Sequence, residues 1–212
     1  MVKILSTNIG APTEVEWKGK RVKTGIFKYP VKEPVVLGKT DVEGDHVINR
    51  EVHGGPDKAV YLYGANHYPH WQALYPDLPW DYGMFGENLT VDQCHEDRIY
   101  IGSAYRIGTA IVQVAQPRQP CFKLGIRFGD QGVLKHFVND IRSGVYFRVI
   151  ESGKVAAGDK MELLDEDQSA VSVAQLYRAI FKKLDDQEVI SRMVKHQAIP
   201  VGLREYVAGL VE

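Results

Sequence analysis

Ala104-Tyr-Arg-Ile-Gly-Thr-Ala-Ile-Val-Gln-Val-Ala115 reads as two short strands, 104–107 and 110–115, broken by Gly108 and built from the β-branched and aromatic residues that suit a pleated, half-buried surface. The same texture continues on both sides. Strands are predicted at 2–8, 22–27, 35–37, 59–63, 87–91, 146–151 and 160–164, separated by Gly and Pro turn signals. Many short strands with frequent turns favour a barrel or a sandwich. Two helices are expected to interrupt them, one over 64–74 before Tyr75-Pro76, the other over 131–142, where Leu134, Phe137, Val138 and Ile141 recur at helical spacing. Residues 1–165 therefore read as a β-dominated α+β domain.

After Leu164 the composition changes. Asp165-Glu166-Asp167-Gln168-Ser169 is an acidic joint, and the residues after it are helical in period and almost free of glycine. Ser172 with Gln175 three residues on is a capping-box pattern, opening a helix whose apolar face is Val173, Leu176, Tyr177, Ile180 and Phe181. A second helix starts near Asp185 or Asp186 and buries Val189, Ile190, Met193 and Val194. Pro200 can open a third carrying Leu203, Tyr206, Val207 and Leu210. Residues 170–212 are thus expected to form a small three-helix domain. Helices this short are not stable alone, so they must pack on each other or on the β domain.

The composition bounds the function. Among 212 residues, 26 basic and 27 acidic side chains leave a formal charge of -1, so no global field favours nucleic acid or an anionic membrane. Hydrophobic residues at 44% and charged residues at 25% exclude disorder and fibrous repeats. No apolar run approaches the roughly 18 residues that span a bilayer, and the first residues lack the long apolar stretch of a signal peptide, so a cytoplasmic protein is expected. Two cysteines, Cys94 and Cys121, fit neither a disulfide scaffold nor a C-x-x-C motif. They are also too few for an iron-sulfur cluster, which needs about four thiolates.

Three segments can carry chemistry. In His53-Gly54-Gly55-Pro56-Asp57-Lys58, glycines before an apolar strand can free backbone N–H groups for an anion, with Lys58 adding a charge; the alternative is a solvated surface turn. In Gly83-Met-Phe-Gly-Glu87-Asn88-Leu-Thr90, Asn88 can tolerate unusual backbone angles or bind a ligand, and Glu87 can orient a cation or hold a loop; ordinary turn chemistry is the alternative. In Gln116-Pro117-Arg118-Gln119-Pro120-Cys121-Phe122-Lys123-Leu124, two prolines stiffen a loop that fixes Arg118 and Cys121. Neighbouring cations favour a thiolate, which serves as a nucleophile or a soft metal ligand; a free cysteine is otherwise a small buried hydrophobe. Cys94, beside His95, has no such frame and reads as incidental. The histidines show no zinc spacing. Trp71, the tyrosines around it and the stretch Met193 to His196 read as packing.

Taken in order, these segments and Gly144-Val-Tyr-Phe-Arg148-Val-Ile-Glu-Ser-Gly153-Lys-Val-Ala-Ala-Gly158-Asp159 resemble the MOSC domain of molybdenum cofactor sulfurases, specifically its stand-alone bacterial YiiM-like form. The resemblance covers nearly the whole chain, including the helical tail, and implies a MOSC-type β-barrel. It also implies molybdenum cofactor (molybdopterin), because relatives of the mitochondrial amidoxime-reducing component hold it through the cysteine matching Cys121. YiiM-like members are associated with reducing N-hydroxylated compounds, hydroxylaminopurines among them. Cys121 is then the metal ligand. Lys58, Arg118 and the Gly54-Gly55 backbone are the expected phosphate donors, and His53, Asp57 and Asn88 the candidates to position pterin or substrate. Arg148 is either part of this set or structural.

With no cluster of its own, the chain would take electrons from a separate reductase or iron-sulfur protein. A different class of reading makes it a molybdenum cofactor or sulfur carrier without turnover. A third makes the tail a docking or nucleic-acid element, but Asp185, Asp186, Glu188 and Glu205 dilute Lys182, Lys183, Arg192, Lys195 and Arg204, so a solvated surface is favoured and no nucleic acid is expected.

Overall fold

The computed structural model describes residues 1–50, 54–167 and 171–210. Twelve strands run β1 Val2–Ile9, β2 Thr13–Trp17, β3 Lys20–Thr24, β4 Tyr29–Val31, β5 Val35–Leu37, β6 Val60–Gly64, β7 Leu89–Val91, β8 Ala104–Ile107, β9 Ala110–Pro117, β10 Val145–Glu151, β11 Gly153–Val155 and β12 Lys160–Asp165. Six α-helices accompany them: α1 Tyr68–Leu74, α2 Phe122–Phe128, α3 Gly132–Asn139, α4 Val173–Ile180, α5 Gln187–Lys195 and α6 Val201–Ala208.

Seven strands close a barrel in the order β12-β8-β9-β10-β6-β7-β1, and β1 returns to β12 through Val2 opposite Met161; β4 hangs on the far end of β1. A ring with an odd number of strands cannot alternate direction all the way round. One parallel pair is required, and it is β6 with β7, Leu62 opposite Leu89. A parallel pair needs a long crossover. Here the crossover is residues 65–88, which carry α1 and the loop ending in Glu87-Asn88.

The crossover brings its own core. Tyr63, Trp71, Phe85, Phe128 and Phe137 are buried together, with Tyr63 stacked on Phe85 at 4.1 Å and Trp71 on Phe137 at 5.7 Å between centroids. Such pairs contribute about 0.5–1.5 kcal/mol beyond the area they bury. The packing expected for Trp71 is what the structure has, and α1 is preceded by a single 3₁₀ turn, Ala65–His67, where one helix over 64–74 was expected.

The barrel interior (Ile4, Val60, Leu62, Val112, Val114, Phe147) is one continuous cluster with Val173, Leu176, Ile190, Met193 and Val207 of the tail. The three tail helices pack on each other, and α4 packs on β9. Ser172 forms the expected capping box: its hydroxyl accepts from the Gln175 N–H while the Gln175 side chain accepts from the Ser172 N–H. Asp186 caps α5 through the Val189 N–H. Three strands (β2, β4, β11) and α2 were not expected from the sequence, and the strand expected at 22–27 lies at Lys20–Thr24. Lys18 and Gly19 both have positive φ, 50° and 72°, which turns β2 directly into β3 as a two-residue hairpin.

Candidate functional site

Strand β9 ends at Pro117, and the chain leaves the barrel through Arg118-Gln119-Pro120 into α2. Cys121 occupies the N-cap position with an extended backbone, and its side chain makes no capping bond. It is half-buried, and it lines a cleft shared with Lys28, His46, Lys58, Tyr61, Asn88, Arg118, Lys123 and Tyr146. Four cations line this cleft. Among the described residues no carboxylate does.

The cations are held in different ways. Arg118 is 5% exposed, lies 4.9 Å from the Tyr61 ring and 5.8 Å from the Phe137 ring, and donates to the Phe85 carbonyl. No carboxylate pairs with it among the described residues. Lys28 is buried in an ion pair with Asp45; burial pulls its pKa down and Asp45 opposes the shift. Burial likewise lowers the pKa of Lys58, with Asp57 opposing. Lys123 lies against the Ile48 carbonyl, its Nζ 3.4 Å away.

The loop before Asn88 is built around Glu87. Its carboxylate, fully buried, accepts from the Tyr68 hydroxyl at 2.5 Å, the Gly83 and Phe85 N–H groups at 2.9 and 3.0 Å, and the Thr90 hydroxyl at 3.0 Å. Of the two roles open to Glu87, it holds the loop. Gly83 has a φ of +88°, and a Cβ there would come within 2.6 Å of the Lys28 carbonyl oxygen, so the loop can press this close only with glycine.

Asn88 accepts from the Tyr61 N–H at 3.2 Å and donates to Asp45 at 2.9 Å. It therefore ties β6 to the loop carrying His46 and Ile48 while lining the cleft.

Cys121, Arg118, Lys58 and Asn88 thus meet at one cleft. Asp57 does not. Pro56–Lys58 is a single 3₁₀ turn, whose successive side chains diverge by about 120°, so Asp57 and Lys58 leave in different directions. Asp57 pairs with Arg148, whose Nη1 donates to the Ala198 carbonyl at 2.7 Å, and both line a separate hollow between barrel and tail. Arg148 accordingly braces the tail. Gly54 and Gly55 form the turn before Lys58, with the Gly54 N–H on the Arg50 carbonyl, and neither lines the cleft. His53 lies outside the described residues.

Lys28, His46, Tyr61 and Tyr146 also line the cleft, with Asp45 paired to Lys28 behind it, and sequence reasoning missed them as site residues. No motif marks them, because they converge only once the barrel closes.

Cys94 has different surroundings. It sits with His67 and Glu96, all three buried, their ligating atoms within 4.8 Å of one another. Glu96 already accepts from His67 Nε2 at 3.0 Å and the Gly144 N–H at 2.9 Å, and burial followed by the Glu96 charge pushes the Cys94 thiol well up, keeping it protonated. The cluster is a closed structural network.

Among the described residues no helix is long and apolar enough to cross a membrane. The sequence profile of the MOSC domain matches residues 49–162. The chain is 39% identical to the uncharacterized protein YflK of Bacillus subtilis over 92% of its own length and 88% of that protein. It is 34% identical to a protein of Gibberella moniliformis named reductase, over 76% of this chain but 29% of that one. The crystal structure of YiiM from Geobacillus stearothermophilus superposes over the whole of both chains with a TM-score of 0.82 at 31% identity.

Proposed function

The chain belongs to the MOSC domain family, and from that membership we propose that it is a molybdenum-cofactor-dependent reductase of N-hydroxylated compounds, of the hydroxylaminopurine or amidoxime type. For a hydroxylamine the balanced change is R–NHOH plus two electrons and two protons giving R–NH₂ and water. A separate reductase or iron-sulfur protein supplies the electrons.

The observation that carries the reading is the convergence of a half-open cysteine sulfur with four cations and no lining carboxylate among the described residues. The residues present fit a phosphate-bearing, sulfur-rich metal group. A buried guanidinium without a carboxylate partner favours an anion beside it, and a thiolate suits a soft metal centre. The cleft has a volume of about 80 Å³, room for a phosphate-sized group, and the body of a pterin would extend into the open mouth.

When bound, the molybdenum cofactor supplies the two-electron chemistry. The chain's own residues do the rest. Cys121 Sγ binds the metal. Arg118, stacked and fixed, and Lys123 hold the phosphate, while Asn88 and Asp45 keep the loop carrying His46 in place. Lys58 lines the same cleft as the sulfur, and its lowered pKa makes the ammonium a better proton donor.

The test is purification of the full chain from cofactor-competent cells, followed by molybdenum analysis and turnover of 6-hydroxylaminopurine and benzamidoxime with a reducing partner. Bound molybdenum with turnover is expected. Molybdenum without turnover of either compound would favour the carrier reading, and no molybdenum would refute both.

A further inference from the structure

Asp57 and Lys58 are neighbours in one 3₁₀ turn, yet they serve two different openings. Lys58 lines the cleft, and Asp57 lines the hollow between barrel and tail. No side chain of Pro56–Lys58 is buried, so the turn has no apolar anchor of its own. Polar contacts tie it to the barrel. The Asp57 carbonyl accepts from Gln116 Nε2 at 3.1 Å, and the Asp57 carboxylate pairs with Arg148.

Arg148 is placed to carry that contact from the tail. Val145, Phe147 and Val149 of β10 face the barrel interior, so Tyr146 and Arg148 share the outer face, with α-carbons about 7 Å apart. Tyr146 lines the cleft and Arg148 the hollow. One face of one strand therefore runs from the site to the tail. Besides Asp57, the Arg148 guanidinium donates to the Gln113 side-chain oxygen at 3.3 Å and to the Ala198 carbonyl at 2.7 Å. Ala198 lies in the link between α5 and α6. That link is fastened by the buried Ile199 and by His196, whose Nδ1 accepts from the Ala198 N–H at 3.2 Å. A planar fork held by acceptors on three separate segments has a fixed direction, which a flexible ammonium does not reproduce.

We propose that Arg148 is a positioning residue for Lys58: braced by the tail, it holds Asp57 and so keeps the Lys58 side chain turned into the cleft. The part of Lys58 as proton donor rests on the reductase reading, whereas its placement by Arg148 rests on the geometry. The inference also gives the three tail helices a share in a site that none of their described residues lines.

The test is a pH titration of the cofactor-free full chain by nuclear magnetic resonance, following the Lys58 Cε signal, which is assigned by its loss in Lys58→Arg. In wild type Lys58 should titrate below an ordinary lysine, because burial lowers its pKa while the Asp57 charge opposes the shift. Asp57→Ala then separates two accounts by sign. Losing a nearby negative charge, with nothing else changed, lowers the Lys58 pKa further; releasing the turn lets the ammonium out into water and raises it towards the ordinary lysine value. A rise is expected. Arg148→Lys keeps the charge and loses the fork, so it too should raise the Lys58 pKa, whereas a role through charge alone would leave it in place. Asp57 is partly exposed and the Arg148 change is conservative, so the two variants test the same link with little risk to the fold. Absence of a rise in either variant would overturn the assignment, as would a wild-type Lys58 that already titrates like an ordinary lysine.

With a reducing partner, kcat for 6-hydroxylaminopurine should fall about tenfold in both variants at a KM within about twofold of wild type, since a misplaced proton donor costs the chemical step. A wild-type chain without turnover would strike the reductase reading instead. An unchanged kcat in variants whose Lys58 has shifted would remove Lys58 as the donor. In both cases the titration still decides the positioning.

Discussion

The two cysteines stand in two neighbourhoods built from similar parts. Cys94 has a histidine and a glutamate within 4.8 Å, a set that on residue types alone looks the better metal site. Cys121 has cations and rings. Yet around Cys94 the hydrogen-bonding capacity is already used, because Glu96 serves His67 and Gly144, and burial keeps the thiol neutral. Around Cys121 it is not: the sulfur caps nothing, the surface is open, and Arg118 has no carboxylate among the described residues. A site is marked by capacity left over in reach of solvent. Residue type alone does not make one.

The largest difference should appear in thiol labelling of the native chain. Iodoacetamide should modify Cys121 and spare Cys94 by roughly a thousandfold or more, since Cys94 reacts only through an opening of the core. Mass spectrometry of the modified peptides reads this directly, and comparable rates would erase the contrast.

Stability should show the reverse order. Glu96→Ala leaves two buried donors without an acceptor and should cost about 3 kcal/mol in urea unfolding, while Cys121→Ser should stay within about 0.5 kcal/mol of wild type. A similar loss in both would mean that Cys121 is structural too.

A smaller effect comes from pH. The folded-state pKa of Cys94 is raised above its unfolded value near 8.5, so the folded chain keeps a proton that the unfolded chain releases. Its stabilising effect is therefore complete below about pH 8.5 and is lost above it, at about 1.4 kcal/mol per pH unit. Lys28 and Lys58, whose pKa values are lowered, shift stability the other way as pH rises, so the informative quantity is the difference between wild type and Cys94→Ala. Between pH 8.5 and 9.5 the variant should lose less stability than wild type. Parallel curves would show that Cys94 does not titrate as described.

Much of this was legible in the sequence, for reasons that can be named. The strands at Ala104–Ile107 and Val35–Leu37 stood out because β-branched or aromatic residues are framed by glycine and proline, and α4 because its cap and its apolar face agree. The helix Phe122–Phe128 was hidden by the two prolines before it, which made the whole segment look like a loop. Its stop signal, Gly129 at a φ of +69°, was available. The Lys18-Gly19 turn likewise could have revealed the hairpin of β2 and β3.

At the site, Cys121, Arg118 and Lys58 could be picked out because they sit in rigid Pro- and Gly-framed segments. Asp57 could not be separated from Lys58 by sequence, since only the 3₁₀ turn sends them apart. Asp45 and Tyr146 carry no local signal at all; barrel closure brings them in.

On the reading proposed above, the sulfur of Cys121, and not that of Cys94, would meet the metal. The decisive quantity is molybdenum per chain, measured by mass spectrometry on Cys121→Ser and Cys94→Ser purified from cofactor-competent cells. It should be near one per chain in wild type and Cys94→Ser, and absent from Cys121→Ser. Full molybdenum in Cys121→Ser would contradict the assignment.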